Sequence, residues 1–310
     1  MAKMATREAY GKALAKLIVE DDKVFVLDAD LSKSTKTADA QVANPARHFN
    51  MGIAECNMMG AAAGIATGGN TVFASSFAMF AAGRAFEIVR NSICYPKLNV
   101  KICATHAGIT LGEDGASHQA IEDLALMRSI PNMTVIQPCD DIETMQVIEA
   151  IAKYAGPVYV RLGRSAVETV NTEDYVFEIG KGVVLRRGQK VAVIATGILV
   201  QEALKAADIL KDEGILVTVV NIHTIKPIDK DLLIELAKTH DVLLTCEEHN
   251  VLGGMGSAVA EVVSQHHPIK ISMLGIEDTF GESGTPVALM KKYGITYKHV
   301  LDRIRKLLAQ

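Results

Sequence analysis

The segment Gly112-Glu113-Asp114-Gly115-Ala116-Ser117-His118-Gln119 places two carboxylates, an imidazole, a hydroxyl and two glycines in one loop between apolar segments. Carboxylates and imidazoles exchange protons under mild conditions, so this composition suits acid-base work on a polar ligand. A second histidine, His106, closes the apolar run Val100-Lys101-Ile102-Cys103-Ala104, which reads as a buried strand. In an alternating α/β chain, polar groups at the end of a strand stand where such folds bind ligands. The same residues also fit an ordinary turn with either histidine at the surface.

A second constellation lies upstream. Met51-Gly52-Ile53-Ala54-Glu55-Cys56-Asn57-Met58-Met59-Gly60 begins a helix of small and apolar residues with one carboxylate, Glu55, in its first turn. That carboxylate either complements the positive end of the helix dipole or is kept protonated by desolvation, ready to share a proton with a ligand nitrogen. Ser76-Phe77-Ala78-Met79-Phe80 spaces two phenylalanines three apart at a helix start, which fits core packing or an aromatic wall for a flat heterocycle. Arg7, Arg161 and Arg164 lie near element ends, where a guanidinium can clamp an anion or stay solvated. Glu247-Glu248-His249 opens a glycine-rich strand-to-helix turn, Val251-Leu252-Gly253-Gly254-Met255-Gly256. It lacks both the GxGxxG spacing and the Walker lysine, so tight packing explains it as well as phosphate binding does. The chain contains no GxSxG elbow, HExxH motif or paired-cysteine metal site.

These residues need scaffolding, and the chain supplies enough of it. At 310 residues with 49% hydrophobic content it suits two domains of about 150 residues each. A net charge of -4, 22% charged residues and no basic run longer than a pair leave no footprint for nucleic acid or an anionic membrane. Five cysteines without a CxxC pair argue for a reducing compartment, and no apolar stretch reaches spanning length free of charges. The start, Met1-Ala2-Lys3-Met4-Ala5-Thr6, leads into an amphipathic helix without a signal-peptide core, so the expected location is cytoplasmic.

Helical periodicity from Thr6 to Asp22 leads into Val24-Phe25-Val26-Leu27, and strand-helix alternation then continues through Thr71-Val72-Phe73-Ala74, a helix over Phe77 to Ile93, Thr134-Val135-Ile136 and Val158-Tyr159-Val160-Arg161. Short apolar runs between helices predict parallel strands buried on both faces. The pattern loosens between Arg164 and Gln189 and resumes at Val191-Ala192-Val193-Ile194, ending with a strand at Ile269-Lys270-Ile271. The expected fold is α/β, with two domains that each carry a mostly parallel sheet flanked by helices: residues 1–168, a linker at 169–188, and residues 189–310.

Taken together, the motifs resemble the transketolase family of thiamine-diphosphate enzymes, specifically the half that contains the pyrimidine-binding and C-terminal domains. Gly52-Ile53-Ala54-Glu55 resembles the family's Gly-Ile-x-Glu, and Ala104-Thr105-His106 through the Gly112–Gln119 loop resembles its most specific signature. Asp28-Ala29-Asp30-Leu31, Phe77-Ala78-Met79-Phe80 and Glu248-His249 fall in the expected order.

The resemblance implies residue roles. Glu55 binds a ring nitrogen of the cofactor's aminopyrimidine, Phe80 with Phe77 stacks on that ring, His106 and His118 flank the thiazolium, and Asp114 binds a substrate hydroxyl. Arg7, Ser34 and Arg164 match positions that hold the sugar phosphate, and Arg161 does not. There are three departures from the family pattern: Cys56 replaces a histidine, Ala107-Gly108 replaces Asp-Ser, and Gly83 replaces a frequent aromatic. Ala107-Gly108-Ile109 is closer to 1-deoxy-xylulose-5-phosphate synthases, which place arginine where His106 stands. The β subunit of a 2-oxo-acid dehydrogenase has the same domain order, but its chemistry does not require paired histidines around a sugar.

The chain has no Gly-Asp-Gly, the family's metal and diphosphate motif. The resemblance therefore implies a split enzyme whose N-terminal partner subunit carries the diphosphate-binding domain with Mg²⁺ or Ca²⁺, with no metal site in this chain. It also implies self-association through the pyrimidine domain, a heterotetramer and sugar-phosphate substrates. A non-catalytic assembly or regulatory subunit is the alternative from another class.

Overall fold

The computed structural model describes residues 3–310. The strands are β1 (Lys3–Ala5), β2 (Val24–Asp28), β3 (His48–Asn50), β4 (Thr71–Phe77), β5 (Val100–Thr105), β6 (Thr134–Ile136), β7 (Val158–Arg161), β8 (Ala166–Glu168), β9 (Val183–Arg186), β10 (Val191–Ala195), β11 (Thr218–Asn221), β12 (Thr224–Lys226), β13 (Val242–Asn250) and β14 (Lys270–Ile276). They form a seven-stranded sheet ordered β12-β6-β7-β5-β4-β2-β3, a five-stranded sheet ordered β14-β13-β10-β11-β9, and the ribbon β1-β8.

The first sheet is parallel except for β12. Its inner strands β4 and β5 are buried along their whole length, as continuous apolar runs covered by helices on both faces require. The helix Thr6–Glu20 covers one face through Ala9, Tyr10, Ala13, Leu14 and Ile18, at helical spacing. The helix Glu55–Thr67 turns Met58, Met59, Ala62, Ala63 and Ala66 inward. Its opposite side, with Cys56, Asn57, Gly60 and Gly64, is exposed.

Three features differ from the sequence reading. Val183–Arg186, expected in the linker, pairs antiparallel with β11 as an edge of the second sheet. Strand β12 follows β11 after only Ile222 and His223, yet it crosses to pair with β6 of the first sheet. A strand of the second domain therefore completes the first domain's sheet, and one continuous core runs from Leu27 to Val263. Finally, the long helix expected over Phe77 to Ile93 is two π-helical turns, Met79–Arg84 and Val89–Cys94, around the short α-helix Phe86–Ile88. The wide turns are visible in the bonds from Ala85 N to Phe80 O (3.4 Å) and from Tyr95 N to Arg90 O (3.0 Å), each spanning five residues. No helix among the described residues is long and apolar enough to cross a membrane.

Candidate active site

The carboxyl ends of β2, β4, β5 and β7 open onto one side of the sheet, and the polar residues singled out above follow them there. This is the edge at which open parallel sheets bind ligands. Asp28, at the end of β2, accepts from Thr35 Oγ1 at 2.7 Å and Thr37 Oγ1 at 2.9 Å, which fastens the segment carrying Ser34.

His106 is the first residue after β5 and adopts a left-handed conformation, φ +60°, uncommon for a residue other than glycine. It is 3% exposed. Its ring stacks on Phe77 with centroids 3.9 Å apart, Nδ1 lies 2.8 Å from Thr105 Oγ1, and Nε2 lies 3.3 Å from Nη1 of Arg7. A guanidinium can only donate, so Nε2 accepts and the proton sits on Nδ1. Burial first, then the charges of Arg7 and Arg164, push the His106 pKa down to about 3, which keeps the imidazole neutral. Arg7 also donates to the carbonyl of Ser34 at 2.8 Å.

Phe77 and Phe80, three apart in sequence, stack at 6.2 Å and 14°. The sequence pattern put both on a helix; instead Phe77 ends β4 and Phe80 lies in the π turn. His118 stands edge-on to Phe80 at 5.3 Å and 79°, with Ser117 Oγ at 3.0 Å from its Nδ1. The two aromatic rings and the two histidines thus form one wall. Asp114 and Glu113 lie exposed at the loop tip. Arg164 donates to Leu111 O and pairs with Glu113 at 3.0 Å; the backbone N–H of Glu113 itself, and then Arg164, hold the Glu113 carboxyl below its usual range.

Glu55 starts its helix and is 2% exposed. Its expected surroundings, small and apolar, need correction: Arg84 of the π turn pairs with it at 3.1 Å. Nothing in the sequence links these residues, because they are 29 positions apart and share no element.

The C-terminal domain also reaches this end of the sheet. Glu248 Oε1 accepts from Thr110 N at 2.6 Å, beneath Gly108, whose absent Cβ would lie 2.3 Å from the Glu248 carboxyl carbon. Gln119 donates to the carbonyls of Ile109, Gly112 and Glu282 at 3.2, 3.2 and 3.0 Å, tying the loop to a turn of the second domain. Arg161 is fully buried and does not face this site: it pairs with Asp123 at 2.8 Å and donates to the carbonyls of Ala120 and Glu248. Glu247 receives the backbone N–H groups of Met255 and Gly256 at 2.7 and 2.8 Å, so the glycine-rich turn anchors a helix start. Sequence reasoning missed Arg84 and the loop-bracing contact of Glu248; the Glu248-His249 marker was the only signal for the latter.

The sequence patterns of two domains match this chain: "Transketolase, pyrimidine binding domain" over residues 2–169 and "Transketolase, C-terminal domain" over residues 180–300. The chain belongs to the transketolase family. A protein of Methanocaldococcus jannaschii named as a transketolase C-terminal section is 52% identical over 96% of this chain and 94% of its own length. A solved structure described as a split gene transketolase, inactive beta4 tetramer, is 56% identical with a TM-score of 0.92, covering 99% of both chains. Human transketolase is 37% identical over 99% of this chain, which spans only 50% of that protein. Membership of the transketolase family implies dependence on thiamine diphosphate.

Proposed function

We propose that this chain is the C-terminal subunit of a split, thiamine-diphosphate-dependent transketolase that moves a two-carbon ketol unit from a ketose phosphate to an aldose phosphate. The observation that carries this reading is the single wall formed by Phe77, Phe80, His106 and His118 beside the buried Glu55. Five free cysteines, four of them buried, suit a cytoplasmic setting.

The residues fit the aminopyrimidine end of the cofactor. Glu55 is a buried carboxylate that already takes an N–H donor at 3.1 Å, and the stacked phenylalanines offer a flat apolar face next to it. Among the described residues no group of three or more His, Cys, Asp and Glu could hold a metal. In this reading an N-terminal subunit supplies the diphosphate site with Mg²⁺ or Ca²⁺, and two copies of each chain form the assembly. The exposed helix side with Gly60 and Gly64, where an added Cβ meets nothing within 4 Å, leaves room for close helix packing against a second chain.

When bound, thiamine diphosphate supplies the electron sink for breaking the carbon-carbon bond. Glu55 hydrogen-bonds the ring nitrogen and so sets the protonation of the aminopyrimidine. Nε2 of His106 takes a proton from a substrate hydroxyl once Arg7 turns from it to the phosphate, and His118 serves the opposite transfer. Asp114 binds a hydroxyl near the reacting centre, and Arg7 and Arg164 with Ser34 clamp the terminal phosphate.

The test is ketol transfer from xylulose 5-phosphate to ribose 5-phosphate, with thiamine diphosphate and Mg²⁺, for this chain with and without a chain bearing Gly-Asp-Gly. Activity only in the mixture supports the split enzyme. Decarboxylation of a 2-oxo acid, or condensation of pyruvate with glyceraldehyde 3-phosphate, in its place would move the chain to a dehydrogenase or a synthase. An assembled but inert complex would make it a regulatory subunit, and activity of this chain alone would refute the split.

A further inference from the structure

The guanidinium of Arg84 makes two contacts at once. Its Nη1 donates to Oε2 of the buried Glu55 at 3.1 Å, and its central carbon stands 5.1 Å from the centroid of the Phe80 ring. These are the two groups that the proposed function gives to the aminopyrimidine, and the inference rests on that reading. A guanidinium and a 4-aminopyrimidine protonated at its ring nitrogen share the features such a site reads: a flat nitrogen-rich cation, N–H donors at its edge, and a face that stacks on an aromatic ring. We infer that Arg84 is a built-in stand-in for the aminopyrimidine, occupying the Glu55–Phe80 site of the unassembled subunit until the cofactor's ring takes its place.

Three features make the exchange feasible. Arg84 is 53% exposed while Glu55 is 2% exposed, so the cation can swing into solvent while the carboxylate stays in place. As Arg84 carries its positive charge away, the Glu55–ring pair takes up one proton from water and shares it between the carboxylate and the ring nitrogen, so no buried charge is left unpaired at the end of the exchange. The π turn places Arg84 over Glu55, and Cys56 Sγ, 3.5 Å from the Arg84 carbonyl, ties that turn to the helix start. The contact also spares the free chain an unpaired buried carboxylate before a partner arrives.

The experiment uses the full chain without any partner and follows binding of 4-amino-5-hydroxymethyl-2-methylpyrimidine by ligand-observed NMR and calorimetry. When a site is competent only for the fraction of time Arg84 is out, apparent affinity falls by that fraction, so Arg84→Ala should bind the probe about tenfold more tightly or better. Adding Glu55→Gln to Arg84→Ala should abolish the gain, and circular dichroism checks that each variant is folded. Equal affinity in wild type and Arg84→Ala, weaker binding by Arg84→Ala, or no detectable binding to folded Arg84→Ala would each overturn the inference. No turnover enters this measurement, so failure of the ketol-transfer reading shows in the reconstitution assay and failure of the stand-in shows here.

Discussion

Nη1 of Arg7 stands 3.3 Å from Nε2 of His106, bringing a permanent cation against an imidazole that is 3% exposed. The pair fixes the histidine as a neutral acceptor, with its proton on the Thr105 side. NMR titration should therefore show no protonation of His106 at the ordinary midpoint of about 6.5, and Arg7→Ala should move its midpoint upward. The linkage sign follows: between about 6.5 and the folded value of about 3 the unfolded chain holds the extra proton, so stability is fully present above 6.5 and declines as pH falls through that window. His106→Asn should flatten the acid limb of Tm against pH. A wild-type midpoint near 6.5 would refute the assignment.

Glu55→Gln keeps the size of the side chain but removes the proton it would share with the aminopyrimidine. In the reconstituted enzyme it should lower kcat by at least about 100-fold, the scale of a lost general acid-base group, with assembly unchanged by sedimentation. Near-normal turnover would take Glu55 out of the mechanism.

Glu248 braces the substrate loop across the domain boundary. Glu248→Ala leaves the Thr110 N–H buried without its acceptor and should cost about 1–3 kcal/mol, read as a lowered midpoint of chemical unfolding. Gly108→Ala should cost a similar amount or more, because Gly108 has φ +81° and its new methyl meets the Glu248 carboxyl. Combining the two should cost less than their sum, since truncating Glu248 relieves the clash. Strict additivity would mean that the two residues do not communicate.

Asp123 pairs with Arg161, and each side chain is 1% exposed. Tyr159 also donates to Asp123 at 2.7 Å. Asp123→Ala leaves the guanidinium buried without its counter-charge and should destabilise the chain by about 3–5 kcal/mol, whereas a solvated pair would cost under about 1 kcal/mol. Urea unfolding separates the two outcomes.

Gly60 and Gly64 lie exposed on one helix side. Gly60→Leu should leave the isolated chain as stable or more so, by up to about 1 kcal/mol from helix propensity. It should also block association with other chains, measured by light scattering. Unchanged association would remove this side from the interface.

The alternation of apolar runs and helical periods was enough, in the sequence alone, to determine a two-domain α/β chain, because buried parallel strands need continuous apolar residues whatever their order. The linear motifs around Glu55, His106 and Gly112–Gln119 likewise marked the candidate site, since each is local in sequence. Tertiary structure decided everything that depends on residues distant along the chain. Strand β12 joins the first sheet only because β6 presents an open edge there, and its three residues carry no periodicity that could announce it. The π turns were invisible because Phe77 to Ile93 still places its apolar residues at near-helical spacing, although the hydrogen bonds widen by a residue. Arg84 illustrates the limit most plainly. Its sequence neighbours read as one helix side, and only folding sets its guanidinium between Glu55 and Phe80, where burial of the carboxylate makes a nearby cation favourable.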